Sequence, residues 1–414
     1  MLGPLLLAFA LLTLTASAAR ASAGQPDAGF GRRGVVTTFP NGSVATGVSI
    51  DGRGRITVVG YSIEAHPVVL VVRFRADGSL DPTFGRDGRA RFDLKGSDEA
   101  FDVAAAPDGG VAITGRRTAA AETTFVLRLR ADGTRRSSFA TNGVAWVDFG
   151  TPRQSADAIA FTQQGRIVIG GSSSSGVRSR SVLARLLPGG AQDPSFAGDG
   201  TAAFDLAPGT EQIRDLIVLP GGSVIADGYT EGGAQYPRFG LVRVTAGGQR
   251  DRSFGTDAPG FSSIDVAAGP DIANALMRAA NGNYLLAGYS RGDWAVVATD
   301  AAGTVDTGYG TNGRVILQLA PAFEEATDIV ASGNGAFVVG RIRGKGDDLG
   351  VVRLRSRGGL DRSFGNDGIV RIDVYGFTDA GSAAALQTNG KLVVAGQTWR
   401  AGVPRFLVAR LLGL

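Results

Sequence analysis

The chain of 414 residues contains no cysteine and one histidine, His66. The first absence excludes disulfides, Cys-ligated zinc, iron–sulfur clusters, thiol catalysis and a lipid-modified N-terminal cysteine. The second excludes multi-histidine metal sites and disfavours a hydrolytic triad. Lysine is nearly missing as well: Lys95, Lys345 and Lys391 are the only ones, so arginine carries the net charge of +4. These arginines recur at regular positions instead of clustering, which argues against a nucleic-acid partner. No window holds a sustained 3.6-residue apolar period with caps, so helices are expected to be nearly absent. No phosphate loop, EF-hand or HExxH pattern occurs. Gly-x-Gly fragments such as Gly52–Gly54 sit between strand-like runs and open no helix, so a dinucleotide reading fails.

The apolar run at residues 2–14 is too short for a bilayer span of about 20 residues. Small residues follow it, with peptidase-type sites after Ala18 and Ala23, although no Lys or Arg precedes it. The expectation is a signal peptide over 1–23, export to a periplasm or the outside of a cell, and no transmembrane segment after cleavage.

What the chain does have is glycine, 63 of them, and a repeat. An aromatic residue recurs at Phe30, Phe84, Phe139, Phe196, Phe254, Tyr309 and Phe364, at intervals of 54 to 58 residues. Around it stands a phrase: DPTFGRDG (81–88), DPSFAGDG (193–200), DRSFGTDA (251–258), DTGYGTNG (306–313) and DRSFGNDG (361–368). Each unit holds four short runs rich in Val, Ile, Leu and Phe, separated by Gly, Asn and Asp turns. That is the signature of consecutive antiparallel strands. Seven such units predict an all-β, seven-bladed propeller of four-stranded blades occupying residues 24–414 as one domain. The last unit lacks its fourth strand, and residues 34–39 form a strand with no unit before them. Strand 34–39 is therefore expected to complete blade seven and remove an unpaired edge.

The LDPTFG-x-DG, ADG and NGKLVVAG phrases resemble the delta-60 repeat, a bacterial propeller-like module, across about residues 25–414. The resemblance implies the propeller and a bacterial source. It carries no catalytic residues over to this chain. Blade two departs from it with TRRSSFA, and blade five reads VVATD where the third strand elsewhere holds an arginine.

The repeated aromatic is expected to insert between blades, with the glycine after it permitting a turn closed to other residues. The third strand carries Arg73, Arg128, Arg185, Arg243, Arg353 and Arg410, and eight residues on stand Asp81, Asp193, Asp251 and Asp361. A bidentate pair would tie strand to loop; ring closure then places Arg410 near Asp27. The alternative is a solvated arginine whose stem covers apolar surface.

Just before the first strand of each unit stand Ser43, Asp98, Gln154, Glu211, Asp271, Glu324 and Asp379. As an acidic rim, Asp98, Glu211, Asp271, Glu324 and Asp379 would attract cations and suit Ca²⁺; as caps they would accept loop N–H groups. The connections between second and third strands vary most, and hold His66, Tyr236 and Trp399 among several arginines. Variable loops on a rigid frame are frequent binding surfaces, and this mixture suits an anionic or sugar ligand. These eight residues are the ligand-binding candidates; no catalytic or metal-ligating residue stands out, and Ca²⁺ is the one cofactor the carboxylates would suit. The expected function is an exported, monomeric scaffold that binds a protein, glycan or small ligand on one face. The alternative is a carboxylate-dependent lyase or hydrolase at the channel mouth.

Overall fold

The computed structural model describes residues 22–39, 42–231, 235–344 and 346–413. The expected signal peptide lies outside these residues except for Ser22 and Ala23. The described chain is all β, without helix, and forms seven separate four-stranded antiparallel sheets. Within each blade, strands A, B, C and D follow in chain order. In blade one they are Ser43–Ile50, Ile56–Ser62, Val69–Phe74 and Arg89–Phe92. Strand D is short, four residues in every blade, which limits the exposed outer edge.

Blade seven is assembled from both ends of the chain. Strands A to C are Asp379–Leu386, Leu392–Arg400 and Val403–Leu411, and strand D is Val35–Thr38. Val35 pairs with Ala409 and Thr38 with Phe406. The seam continues outward: Gly24 N–H donates to the Leu412 carbonyl at 2.7 Å and Asp27 N–H to that of Arg410 at 2.8 Å.

The core lies between blades. Phe30, Phe84, Phe139, Phe196 and Phe364 are fully buried, and Phe254 and Tyr309 nearly so. Five of them, Phe30, Phe84, Phe139, Phe254 and Tyr309, meet the glycine of the next blade's C-to-D turn where a side chain would collide: a Cβ on Gly78 would lie 2.0 Å from Phe30. The glycine after the aromatic does adopt positive φ, from 52° at Gly31 to 98° at Gly255. Ala140 and Ala197 take the same conformation at 40° and 53° despite their Cβ atoms.

The strand C arginines close this face. Arg185, Arg243, Arg353 and Arg410 reach Asp193, Asp251, Asp361 and Asp27 through Nε at 2.7, 2.9, 3.4 and 2.7 Å. The grip differs from a bidentate fork. The other nitrogens turn to serines or to carbonyls of the next blade, as when Arg243 donates to Ser253 and to Ala301. One guanidinium thus ties its own loop to its neighbour while stacking on an aromatic: Arg410 sits 4.7 Å above Phe30. Two blades solve the problem otherwise. Arg128 pairs with Asp108, at 2.8 Å to both oxygens, because Arg136 stands in the usual aspartate position. Arg73 donates to Thr57 and to the Ala131 carbonyl instead of Asp81.

Strand A, which lines the central channel, is interrupted in every blade. Its pairing with strand B slips by one residue, between Ala45 and Gly47 in blade one and between Ile213 and Asp215 in blade four. This bulge leaves one extra residue whose backbone groups need partners. In several blades, side chains of one strand A latch the backbone groups that flank the next blade's bulge. Thr46, Asn274 and Thr327 donate to the Ala100, Ala326 and Gly381 carbonyls, each at 2.9 Å. Asp102, Asp215 and Asp328 accept the Ile159, Leu276 and Ala384 N–H groups at 2.9, 2.9 and 2.5 Å.

Candidate ligand-binding face and channel

The two faces of the ring are built from different connections. A-to-B and C-to-D turns form one face, and the arginine frame repeats there. B-to-C and D-to-A connections form the other. Among the described residues, most exposed large apolar side chains belong to this second face: Ile63, Val177, Tyr236 and Val403 at B-to-C connections, Phe323 and Phe377 in D-to-A connections. Trp146 and Ile316 are the others, on strands D at the perimeter.

The residues singled out from the sequence all lie toward this face, but in two groups. His66 and Tyr236 are exposed on the B-to-C connections of blades one and four, and Trp399 is half-buried on blade seven. The acids are inside. Asp98, Glu211, Asp271, Glu324 and Asp379 are each at most 1% exposed. They accept the N–H groups of Leu94, Ala207, Val266, Leu319 and Val374, closing five separate D-to-A connections. Gln154 does the same for Phe149, and Ser43 bonds across the seam to Phe406. Burial pushes Glu211 and Glu324 up to about 7 and Asp379 up to about 6. These side chains are not brought together, one serving each connection. Among the described residues no three acidic or histidine side chains converge tightly enough to hold a metal ion.

The clefts between adjacent D strands are frame features too. One runs between Val35–Thr37 and Arg371–Tyr375, and others lie beside Thr201–Phe204 and Arg314–Ile316. All three lie at the outer edge of the ring beside a D strand.

The channel breaks the symmetry. The bulged residue that latches the neighbour in blades one, five and six is Phe101, Asp157 and Arg214 in blades two, three and four. These are freed from that carbonyl bond. Beside them stand residues that follow the strand B glycine: Tyr61, Arg116, Tyr229, Tyr289 and Arg341, all half-buried. Arg116 is held by Glu99 at 2.6 Å and Glu122 at 3.5 Å. Arg341 is held by Asp347 at 3.3 Å and Glu325 at 3.4 Å. Gln212 donates to Asp157, and the Tyr229 hydroxyl lies 3.5 Å from Gln212 Oε1. Tyr289 meets Phe323 edge-on at 5.1 Å. Arg214 makes no ion pair among the described residues; it lies 5.8 Å over the Tyr229 ring with Nε buried and unpartnered. Burial raises Asp157, partly offset by Arg214 and Gln212.

Blade four holds a second irregularity. Asp227 on strand B stands opposite Asp215 on strand A, where other blades have Val59, Thr114, Gly170, Ala287, Val339 or Ala395. Asp227 is 2% exposed and neither carboxyl oxygen has a partner. Burial, then the Asp215 charge, raises it well above the usual range. The latch carboxylates follow: burial first and mutual repulsion second bring Asp102 to about 8 and Asp328 to about 7, and burial brings Asp215 to about 6.

Three segments, 54–84, 165–196 and 387–413, match the family described as a domain of unknown function (DUF5122) beta-propeller. Each match spans strand B and strand C, and the first two run on through the C-to-D connection that carries the arginine frame. These three segments, about a fifth of the chain, are similar to DUF5122 β-propeller repeats. The resemblance to the delta-60 repeat is consistent with this family. No curated protein matches. Similar solved structures include a catalytically inactive virginiamycin B lyase from Staphylococcus aureus with quinupristin, at TM-score 0.54 and 10% identity over 91% of this chain and 98% of that one. Sqt1 from Chaetomium thermophilum aligns at TM-score 0.51 and 13% identity, covering 90% and 95%. The polysaccharide lyase Uly1 aligns at TM-score 0.50 and 10% identity, covering 89% of each chain. At such identities the likeness is one of fold, and propellers serve unrelated functions. The blades therefore have to be read from their own residues.

The mouth residues were missed from the sequence. A signal exists: the position after the strand B glycine reads Tyr, Arg, Ser, Tyr, Tyr, Arg, Gln through the seven blades. The bulge also shows itself where two polar residues stand side by side in strand A, as in Arg214–Asp215 and Thr327–Asp328.

Proposed function

We propose that this chain is an exported binding scaffold that engages its ligand on the face of B-to-C and D-to-A connections, centred on the channel mouth. The observation that carries this is the asymmetry of the two faces. One repeats a framework. The other collects exposed apolar side chains around a channel whose lining departs from the repeat. A rigid frame with variable loops on one side is suited to recognition. Export rests on the apolar leader and the small residues after it. Ca²⁺ enters only as a component to be screened.

The alternative of a carboxylate-dependent lyase or hydrolase needs two carboxyls open to substrate. A pair with unequal surroundings exists, Asp215 and Asp227, but Asp227 is buried and closed to a substrate. The scaffold takes precedence on that ground.

The test is a thermal-shift screen of the purified protein against peptides, glycans, small anions and Ca²⁺. At least one class should stabilise it, the shift should vanish in Phe323→Asp with Tyr289→Ala, and it should persist in Arg53→Glu with Gln164→Glu on the opposite face. Loss of the shift only in the opposite-face variant would reverse the assignment of faces.

A further inference from the structure

The channel lining departs from the repeat in one sector, and the departure has a chemical character. Phe101, Asp157 and Arg214 replace latching residues in three consecutive blades. Gln212 and Tyr229 face each other on blade four, and Tyr289 continues the wall on blade five. Asp157 offers acceptors, Gln212 both donors and an acceptor, and Arg214 a planar fork of donors. Arg214 is the notable member, because its neighbours Arg116 and Arg341 are held by carboxylates and it is not. Its guanidinium is fixed by the Tyr229 ring beneath it instead. An amide, a carboxylate and a guanidinium in one half-buried wall match vicinal hydroxyls, which donate and accept at once and bridge planar groups two atoms at a time. The aromatic faces of Tyr229 and Tyr289 match the C–H faces of a pyranose ring. The acidic groups nearest Arg214 disfavour an anion: Asp157 lies beside it, and Asp215 belongs to the same blade. Nothing in the sector could enclose a metal.

We infer that the channel sector formed by Asp157, Gln212, Arg214, Tyr229 and Tyr289 is a binding site for a neutral saccharide. A sugar ring rests on the tyrosines, and its vicinal hydroxyls are shared between Arg214 and the Asp157–Gln212 pair. This rests on the reading of the channel mouth as the binding face and names the ligand class for it.

The experiment is calorimetric titration of the purified protein with cellotetraose, maltotetraose, xylotetraose and β-1,4-galactotetraose, with tetragalacturonate as a charged arm. At least one neutral tetrasaccharide should bind, and Arg214→Met and Tyr229→Leu should each weaken it by about tenfold or more. Arg214→Met should keep the parent's melting temperature, since it removes an unpartnered buried nitrogen, and Tyr229→Leu should keep a single cooperative transition. Binding that survives both substitutions overturns the site. Binding of tetragalacturonate alone overturns the neutral class in favour of an anion. No binding by any saccharide overturns the inference; the scaffold reading then stands if the thermal-shift screen finds another ligand on this face, and falls with it if nothing binds.

Discussion

A chain lacking residues 22–38 is expected to lose cooperative folding of the whole ring. The segment supplies four things at once. Val35–Thr38 complete the edge of blade seven along Phe406–Ala409. Phe30, fully buried, fills the junction between blades seven and one, where it meets Phe74 at 5.8 Å. Asp27 neutralises Arg410 at 2.7 Å and Lys391 at 2.8 Å. Gly24 and Asp27 tie down the last strand through backbone bonds. Truncating a buried Phe costs about 3–5 kcal/mol, and leaving a buried charge without its partner costs a similar amount. These losses are neighbours and do not add simply, but together they approach the roughly 5–15 kcal/mol that holds a domain folded. Calorimetry of the truncated chain should show no sharp transition, or one more than about 10 °C lower. A transition at the parent temperature would mean that the first strand decorates the ring and does not close it.

Asp227→Val is expected to act in the opposite direction and stabilise the protein. Val59 and Val339 occupy the same position in blades one and six, so the side chain fits the interblade layer. The substitution removes a buried carboxyl with two unpartnered oxygens and a repulsive neighbour of Asp215. Relieving an unsatisfied buried polar group is worth about 1–3 kcal/mol, or about 1–4 °C for a domain of this size. The pH dependence supplies the sign. Asp102, Asp215 and Asp328 titrate higher in the fold than the roughly 3.9 of a free aspartate. Their stabilising contribution is complete below that value and is lost as pH rises through about 6 to 8. Glu211, Glu324 and Asp379 act in the same direction. Asp27, Asp193, Asp251 and Asp361 are lowered, against burial, by hydrogen bonds and arginine, so their contribution is lost as pH falls below about 4. Maximum stability should therefore lie at mildly acidic pH, near 5, and Tm should fall from there toward pH 8. Asp227→Val should flatten that fall. An unchanged slope with an unchanged Tm would show that Asp227 is satisfied by a partner.

How far the sequence could be read depends on what repeats. The blade count, the strand order and the closure of blade seven were legible because each rests on a pattern present seven times. The Arg410–Asp27 contact followed from that phase alone. The bidentate fork expected from the sequence gave way to a split grip, because the other guanidinium nitrogens turn to serines and to carbonyls of the next blade that no spacing in one unit reveals. The acids before strand A were recognised with two alternatives, an open rim or loop caps, and the structure takes the second. A residue at a strand end can face solvent or fold under its own loop, and Leu94, Val266 and Val374 offer N–H groups that draw the carboxylates inward. The channel site was illegible for a different reason. Simple alternation assigns each strand A side chain to one face or the other, and the bulge shifts that phase midway. Arg214 and Asp215, adjacent in sequence, thereby both bear on the channel, and only the observed register separates the latch from the freed side chain.

Hydrogen exchange of the protein with and without a ligand from the screen tests the central assignment most directly. Protection is expected at the channel and its mouth, over Gln212–Asp215, Tyr229–Glu231 and Tyr289–Arg291, with the A-to-B and C-to-D turns unchanged. Protection confined to the turns of the arginine frame, with the channel strands unaffected, would contradict the account.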